Sequence, residues 1–215
     1  MLGVILFVAA LVHAQDTIYV SRQGEQLKNF YWSMDVEHLW LRGYPIDWET
    51  GKPRREHVYY EKGHSHCSAF TAAACKRLGI YILRPPAHTA KLLANAQYDW
   101  LDSDEALQSG WRPIVDTLVA GQFLEAQRHA DEGEVVVAVC QNPDLGKPGH
   151  IALVLPEKID AAYVAHNGPV IIQAGKNNYS RTTLLEGFKN HLHGAYHQEI
   201  RFYRNIQVPR AGAVR

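Results

Sequence analysis

Cys67 and His150 are the residues of this chain whose types and settings could carry covalent chemistry together. Cys67 stands in His66-Cys67-Ser68-Ala69-Phe70, where a helical pattern begins. His150 follows Pro148-Gly149 and opens the apolar run His150-Ile151-Ala152-Leu153-Val154. A thiol attacks a carbonyl as thiolate. The first turn of a helix favours that anion through free backbone N–H groups and the positive end of the dipole. The same N–H groups can hold an oxyanion. An imidazole on a strand can take the thiol proton and later hand it to a leaving amine. Partners so far apart in sequence meet only through the fold.

A third residue is needed to orient the imidazole and fix its tautomer. Gln173, closing the run Val170-Ile171-Ile172-Gln173, offers a side-chain oxygen for an imidazole N–H. Asn177 and Asn178 are the fallback candidates. Each residue also has a plainer reading. Cys67 shares a helix face with Phe70 and Ala74, as a core cysteine would, and His150 could be a satisfied strand-end residue. Cys75, two turns into the helix, gains nothing from the helix end and reads as core. His64, His66, Cys67 and His88 make a zinc-like donor set, but no CxxC or HExxH accompanies them, so neither metal nor cofactor is expected.

The elements that must position these residues can be read from periodicity. A helix is expected over 67–78, stopped by Gly79, with Ser65 as its candidate N-cap. Arg84-Pro85-Pro86 breaks the chain, and helical patterns resume over 91–100 and about 114–131. Asn95, Gln97, Tyr98, Asp99 and Trp100 either line a substrate groove or belong to an amphipathic helix packed through its tryptophan. Strands follow at 134–141, 150–155, 170–173 and 199–206. Helices first and consecutive strands after predict an α+β domain with an antiparallel sheet. Residues 15–60, rich in aromatics and charges and punctuated by Gly43, Pro45, Gly51 and Pro53, read as a loosely regular arm wrapping a core of residues 61–207. Residues 208–215 read as a tail.

At 215 residues and 47% hydrophobic content, the chain is sized for one well-packed domain. Its zero formal net charge argues against nucleic acid or an anionic membrane as the main target. Residues 1–14 read as a signal peptide: an apolar run too short to span a bilayer, then Val12-His13-Ala14, with no Lys or Arg before it. A secreted or periplasmic protein is the consequence. In an oxidising compartment three cysteines leave at least one free thiol. A Cys75–Cys140 bridge and two separate buried thiols both stay open.

The block His66-Cys67-Ser68-Ala69-Phe70 resembles the Asp-Cys-Ser-Gly-(apolar) signature of NlpC-type cell-wall peptidases. Gly149-His150-Ile151-Ala152-Leu153-Val154 is similar to their histidine strand, and Val170-Ile171-Ile172-Gln173-Ala174 to the strand carrying their third polar residue. The likeness covers roughly residues 60–205 and extends to the related CHAP amidases. It implies a papain-like fold, with the nucleophile at a helix start packed on an antiparallel sheet. It also implies hydrolysis of amide bonds in peptidoglycan stem peptides by Cys67, His150 and Gln173, with muropeptides as partners and no cofactor. Ser68 and His66 take the substrate-binding positions. His66 stands where the family has aspartate, and Ala69 replaces glycine. Two other readings use the same triad, a transglutaminase-like acyltransferase and a protein peptidase. A secreted binding module without catalysis is a third.

Overall fold

The computed structural model describes residues 19–55, 58–60, 65–191 and 200–207. The expected signal peptide, the 208–215 tail and His64 lie outside the described residues. Among those described there are seven helices and one six-stranded antiparallel sheet, an α+β architecture. No described helix is long and apolar enough to cross a membrane.

The described N-terminal segment opens with a helix that the sequence reading did not single out. Helix α1 spans Arg22–Ser33, and the Ser21 side chain caps it by accepting from the Gly24 N–H. Leu27, Phe30 and Tyr31 recur at helical spacing and are buried, and Met34 and Trp40 beyond the helix join the same core. The charged outer face of α1 diluted this signal in the sequence. Trp40 is fully buried, its ring edge-on to Phe70 at 5.3 Å, so the segment packs directly on the helix that starts at Cys67.

That helix, α2, spans Cys67–Arg77, and Gly79 follows at φ +77° as expected for a helix stop. Its N-cap is His66, with no side-chain capping bond, and not Ser65. Helix α3 covers Leu93–Leu101 and α4 Asp104–Gln108. The helix expected from residue 114 begins later. Trp111–Ile114 is strand β1 at one edge of the sheet, where Pro113 is tolerated because an edge position can spare an N–H donor. Asp116 then accepts from the Leu118 N–H, and α5 runs Val119–Asp131.

Strand β2 (Val135–Cys140) is buried at every position, which is why it reads as an unbroken apolar run. Strands β3 (His150–Val154) and β4 (Val170–Gln173) follow, with α6 (Ala161–Asn167) between them. Strand β5 (Tyr179–Thr183) and α7 (Leu184–Phe188) come next, and β6 (Arg201–Asn205) is last. The sheet order is β1-β6-β2-β3-β4-β5. Alternation along β2 and β3 divides the apolar residues between two layers. Val135, Val137, Val139, Ile151 and Leu153 face a core shared with α1 and α2. Val136, Ala138, Cys140, Ala152 and Val154 face a second core with α5, α6 and α7. Each Val, Leu or Ile removed from water in these layers contributes about 1.5–3 kcal/mol before conformational entropy is subtracted.

One buried polar side chain ties α5 to the sheet. Gln127 Nε2 donates to Asp131 Oδ1 and to the Leu155 carbonyl, while its Oε1 accepts from the Val170 N–H. All three cysteines are free thiols and buried, with Cys75 and Cys140 in different cores.

Candidate active site

Antiparallel register fixes where the imidazole starts. His150 pairs with Cys140 across β2 and β3, so the two side chains leave the sheet on the same side. Gln173 ends β4, next to β3, and its Oε1 lies 2.8 Å from His150 Nε2. Gln173 Nε2 is directed at the Asn177 carbonyl, 3.4 Å away, so the amide oxygen is the atom that faces the ring. His150 Nε2–H therefore donates to Gln173, and Nδ1 carries the lone pair. Nδ1 is buried and has no hydrogen-bond partner among the described residues.

The fallback partners are used elsewhere. Asn178 Nδ2 donates to the Val36 and Leu39 carbonyls and its Oδ1 accepts from the Gly175 N–H, tying the N-terminal segment to the loop after β4. Asn177 contributes its backbone carbonyl to Gln173 and its side chain to Tyr179.

Cys67 is 4% exposed at the first position of α2. Backbone N–H groups of Ile151, Ser68 and Cys67 itself are directed at its thiol. The Ile151 N–H belongs to the peptide that joins Ile151 to His150. Cys67 belongs to the core between α2 and the sheet, whereas His150 shares the side of Cys140 and lies against Phe188 in the second core, so the thiol and the imidazole leave the start of β3 on opposite faces and no hydrogen bond joins them among the described residues. Burial pushes the Cys67 thiol up from its ordinary value and outweighs the pull of those N–H groups. Burial also drives His150 down to about 4, against a smaller upward pull from Gln173. The sequence predicts a thiolate at the helix start. The structure holds a neutral thiol and, on the other face of β3, a neutral imidazole, because desolvation exceeds the benefit of the helix end.

The two substrate-binding candidates sit on either side of the thiol position. His66 Nε2 donates to the Tyr44 carbonyl at 2.9 Å, anchoring the N-terminal segment to the residue before Cys67. Ser68 is buried, with its carbonyl accepting from Gln97. Gln97 also donates to the Leu83 carbonyl, and Trp100 is buried under Tyr81. These residues of α3 are packing and bracing groups, not a groove lining. His88 Nδ1 bonds the Thr89 carbonyl and His66 the Tyr44 carbonyl, so the zinc-like donors that are described have other partners.

Sequence reasoning missed two supports of His150. Asn95 Oδ1 accepts from the Gly149 N–H at 2.7 Å and from the Asn142 N–H, while its Nδ2 donates to the Lys147 carbonyl. It pins the turn that delivers His150 to β3. On the other side, Phe188 lies edge-on to the imidazole at 4.6 Å and His191 stacks on it at 4.8 Å. The Asn95 side chain could have been found by asking which polar residue satisfies the loop 142–149. The α7 residues carry no motif that points to His150.

No family model matches the chain, and no curated protein matches its sequence.

Replacing Gln173 by alanine is expected to lower turnover about 10- to 100-fold with little change in KM, since the imidazole loses the acceptor that fixes its tautomer. Steady-state kinetics of the variant on any cleaved amide substrate check this, and unchanged turnover would remove Gln173 from the site.

Proposed function

We propose that the protein is a papain-like cysteine amidohydrolase acting on amide bonds of peptidoglycan stem peptides outside the cytoplasm. The observation that carries this reading is the bonding of His150. Its Nε2 is committed to the Gln173 side-chain oxygen, which leaves Nδ1 buried and without a hydrogen-bond partner among the described residues, the tautomer a general base needs. The resemblance of the three sequence blocks to NlpC-type peptidases supplies the substrate class.

In this reading Cys67 Sγ bonds to the amide carbonyl carbon as its proton passes to His150 Nδ1, a transfer that requires the imidazole to turn to the thiol's side of β3 when substrate binds. The carbonyl oxygen takes the electron pair and is held by N–H groups at the start of α2, including that of Cys67. His150 Nδ1–H then protonates the leaving amine as the C–N bond breaks, giving a thioester. Water gives one proton to Nδ1 and adds its oxygen to the acyl carbon, and the departing sulfur regains that proton. Gln173 holds the ring throughout. Purified muropeptides should yield fragments whose masses locate a stem amide. A muropeptide panel left intact contradicts the reading, and transfer to added amines in preference to water would redirect it to an acyltransferase.

The neutral pair has a consequence for reactivity. A thiol held up and an imidazole held down leave no ion pair near neutrality. Alkylation of Cys67 by iodoacetamide, followed by peptide mass mapping, is expected to climb about tenfold per pH unit from pH 6 to 8. A flat rate from pH 5 to 8 would mean a preformed thiolate–imidazolium pair.

A further inference from the structure

We infer that the end of α7, through Gly187, Phe188 and His191, is the element that orients the His150–Gln173 pair, with His191 as a positioning residue. The inference rests on the proposed amidohydrolase only for its effect on turnover. The ring geometry stands apart from it.

The hydrogen bond from Nε2 to Gln173 fixes one corner of the imidazole but leaves its plane free to rock about that bond. Two rings remove this freedom. Phe188 meets His150 edge-on, with an interplanar angle of 67°, and His191 covers it face-on, with rings 5° from parallel. One contact limits tilt and the other limits rotation out of plane. The two side chains are three residues apart, and the His191 N–H donates to the Phe188 carbonyl at 2.8 Å, so they move as one unit. The unit is anchored at its other end, where the Thr183 side chain caps α7 by accepting from the Glu186 N–H.

Gly187 completes the arrangement. A Cβ there would stand 2.6 Å from Gln173 Oε1 and 2.5 Å from Ile171 Cδ1. Only glycine lets α7 approach closely enough for Phe188 and His191 to reach the imidazole while Gln173 keeps its oxygen on Nε2. Three residues of one short segment thus bear on the same two side chains.

The test compares His191→Ala with His191→Phe, which retains a flat ring for stacking. Two readouts are used: kcat and KM on a cleaved muropeptide, and the NMR signal of the His150 Nε2–H proton. His191→Ala is expected to lower kcat about tenfold at unchanged KM and to broaden the Nε2–H signal by exchange. His191→Phe is expected to restore both to within about twofold of wild type. Wild-type behaviour of His191→Ala in both readouts overturns the inference. So does a phenylalanine variant no better than alanine, because stacking would then not be the cause. If no muropeptide is cleaved, the NMR comparison still decides the positioning role, so its failure and that of the proposed function are separate results.

Discussion

His150→Ala is expected to lower turnover of a stem-peptide amide by at least about 10³-fold, with KM changed little. Under the proposed mechanism the loss follows from removing both the acceptor of the Cys67 proton and the donor to the leaving amine. The pH dependence follows from burial. With His150 held down to about 4, its neutral, proton-accepting form persists well below the ordinary histidine range. The acid limb of kcat/KM is expected between about pH 4 and 5 instead of near 6.5. Stability carries the opposite face of the same shift. The unfolded chain binds a proton at His150 before the folded one does, so stability falls as pH drops from about 6.5 toward 4. His150→Ala should be less sensitive to acid across that window. Urea titrations of wild type and variant at pH 7 and pH 4.5 measure the difference, and identical pH slopes would contradict the burial argument.

Gly149→Ala should cost both fold and activity, about 2–4 kcal/mol of stability and at least about 10²-fold in turnover. A Cβ at this position would stand 2.2 Å from the Cys140 carbonyl oxygen and 2.5 Å from Asn95 Oδ1. Both are fixed atoms, one of backbone and one of a fully bonded amide, so the start of β3 must move. That start carries His150 and the N–H directed at the Cys67 thiol. Asn95→Ala is the useful companion. It removes the acceptor of the Gly149 N–H without adding an atom, and a smaller loss of about 1–3 kcal/mol is expected. A Gly149→Ala protein with wild-type melting and turnover would show that the close approach has no consequence.

What could be read from the sequence follows from how local each signal is. The buried strands β2, β3 and β4 announce themselves as short apolar runs bounded by turn residues, and α2 by its alanines and closing glycine. The His150–Gln173 pairing was legible because two consecutive strands of an antiparallel sheet bring their ends together. Strand β5 was not legible: Tyr179-Ser180-Arg181-Thr182-Thr183 is a polar edge strand with no fully buried face to set an alternation. Strand β1 hid behind Pro113, and α7 is too short for a period to show. The state of the thiol depends on tertiary packing. Local sequence places Cys67 at a helix start, but the covering residues come from the N-terminal segment and the sheet, and these set its desolvation. The rings around His150 are hidden for the same reason, since they arrive from a distant turn.

The most direct measurement is mass spectrometry of a muropeptide panel incubated with the wild-type protein, with Cys67→Ala and with His150→Ala. Wild type alone should release new fragments, at masses that place the cut at an amide of the stem, and both variants should leave the panel intact while melting near the wild-type temperature. Equal cleavage by wild type and Cys67→Ala would remove the thiol from the chemistry and contradict the account at its centre.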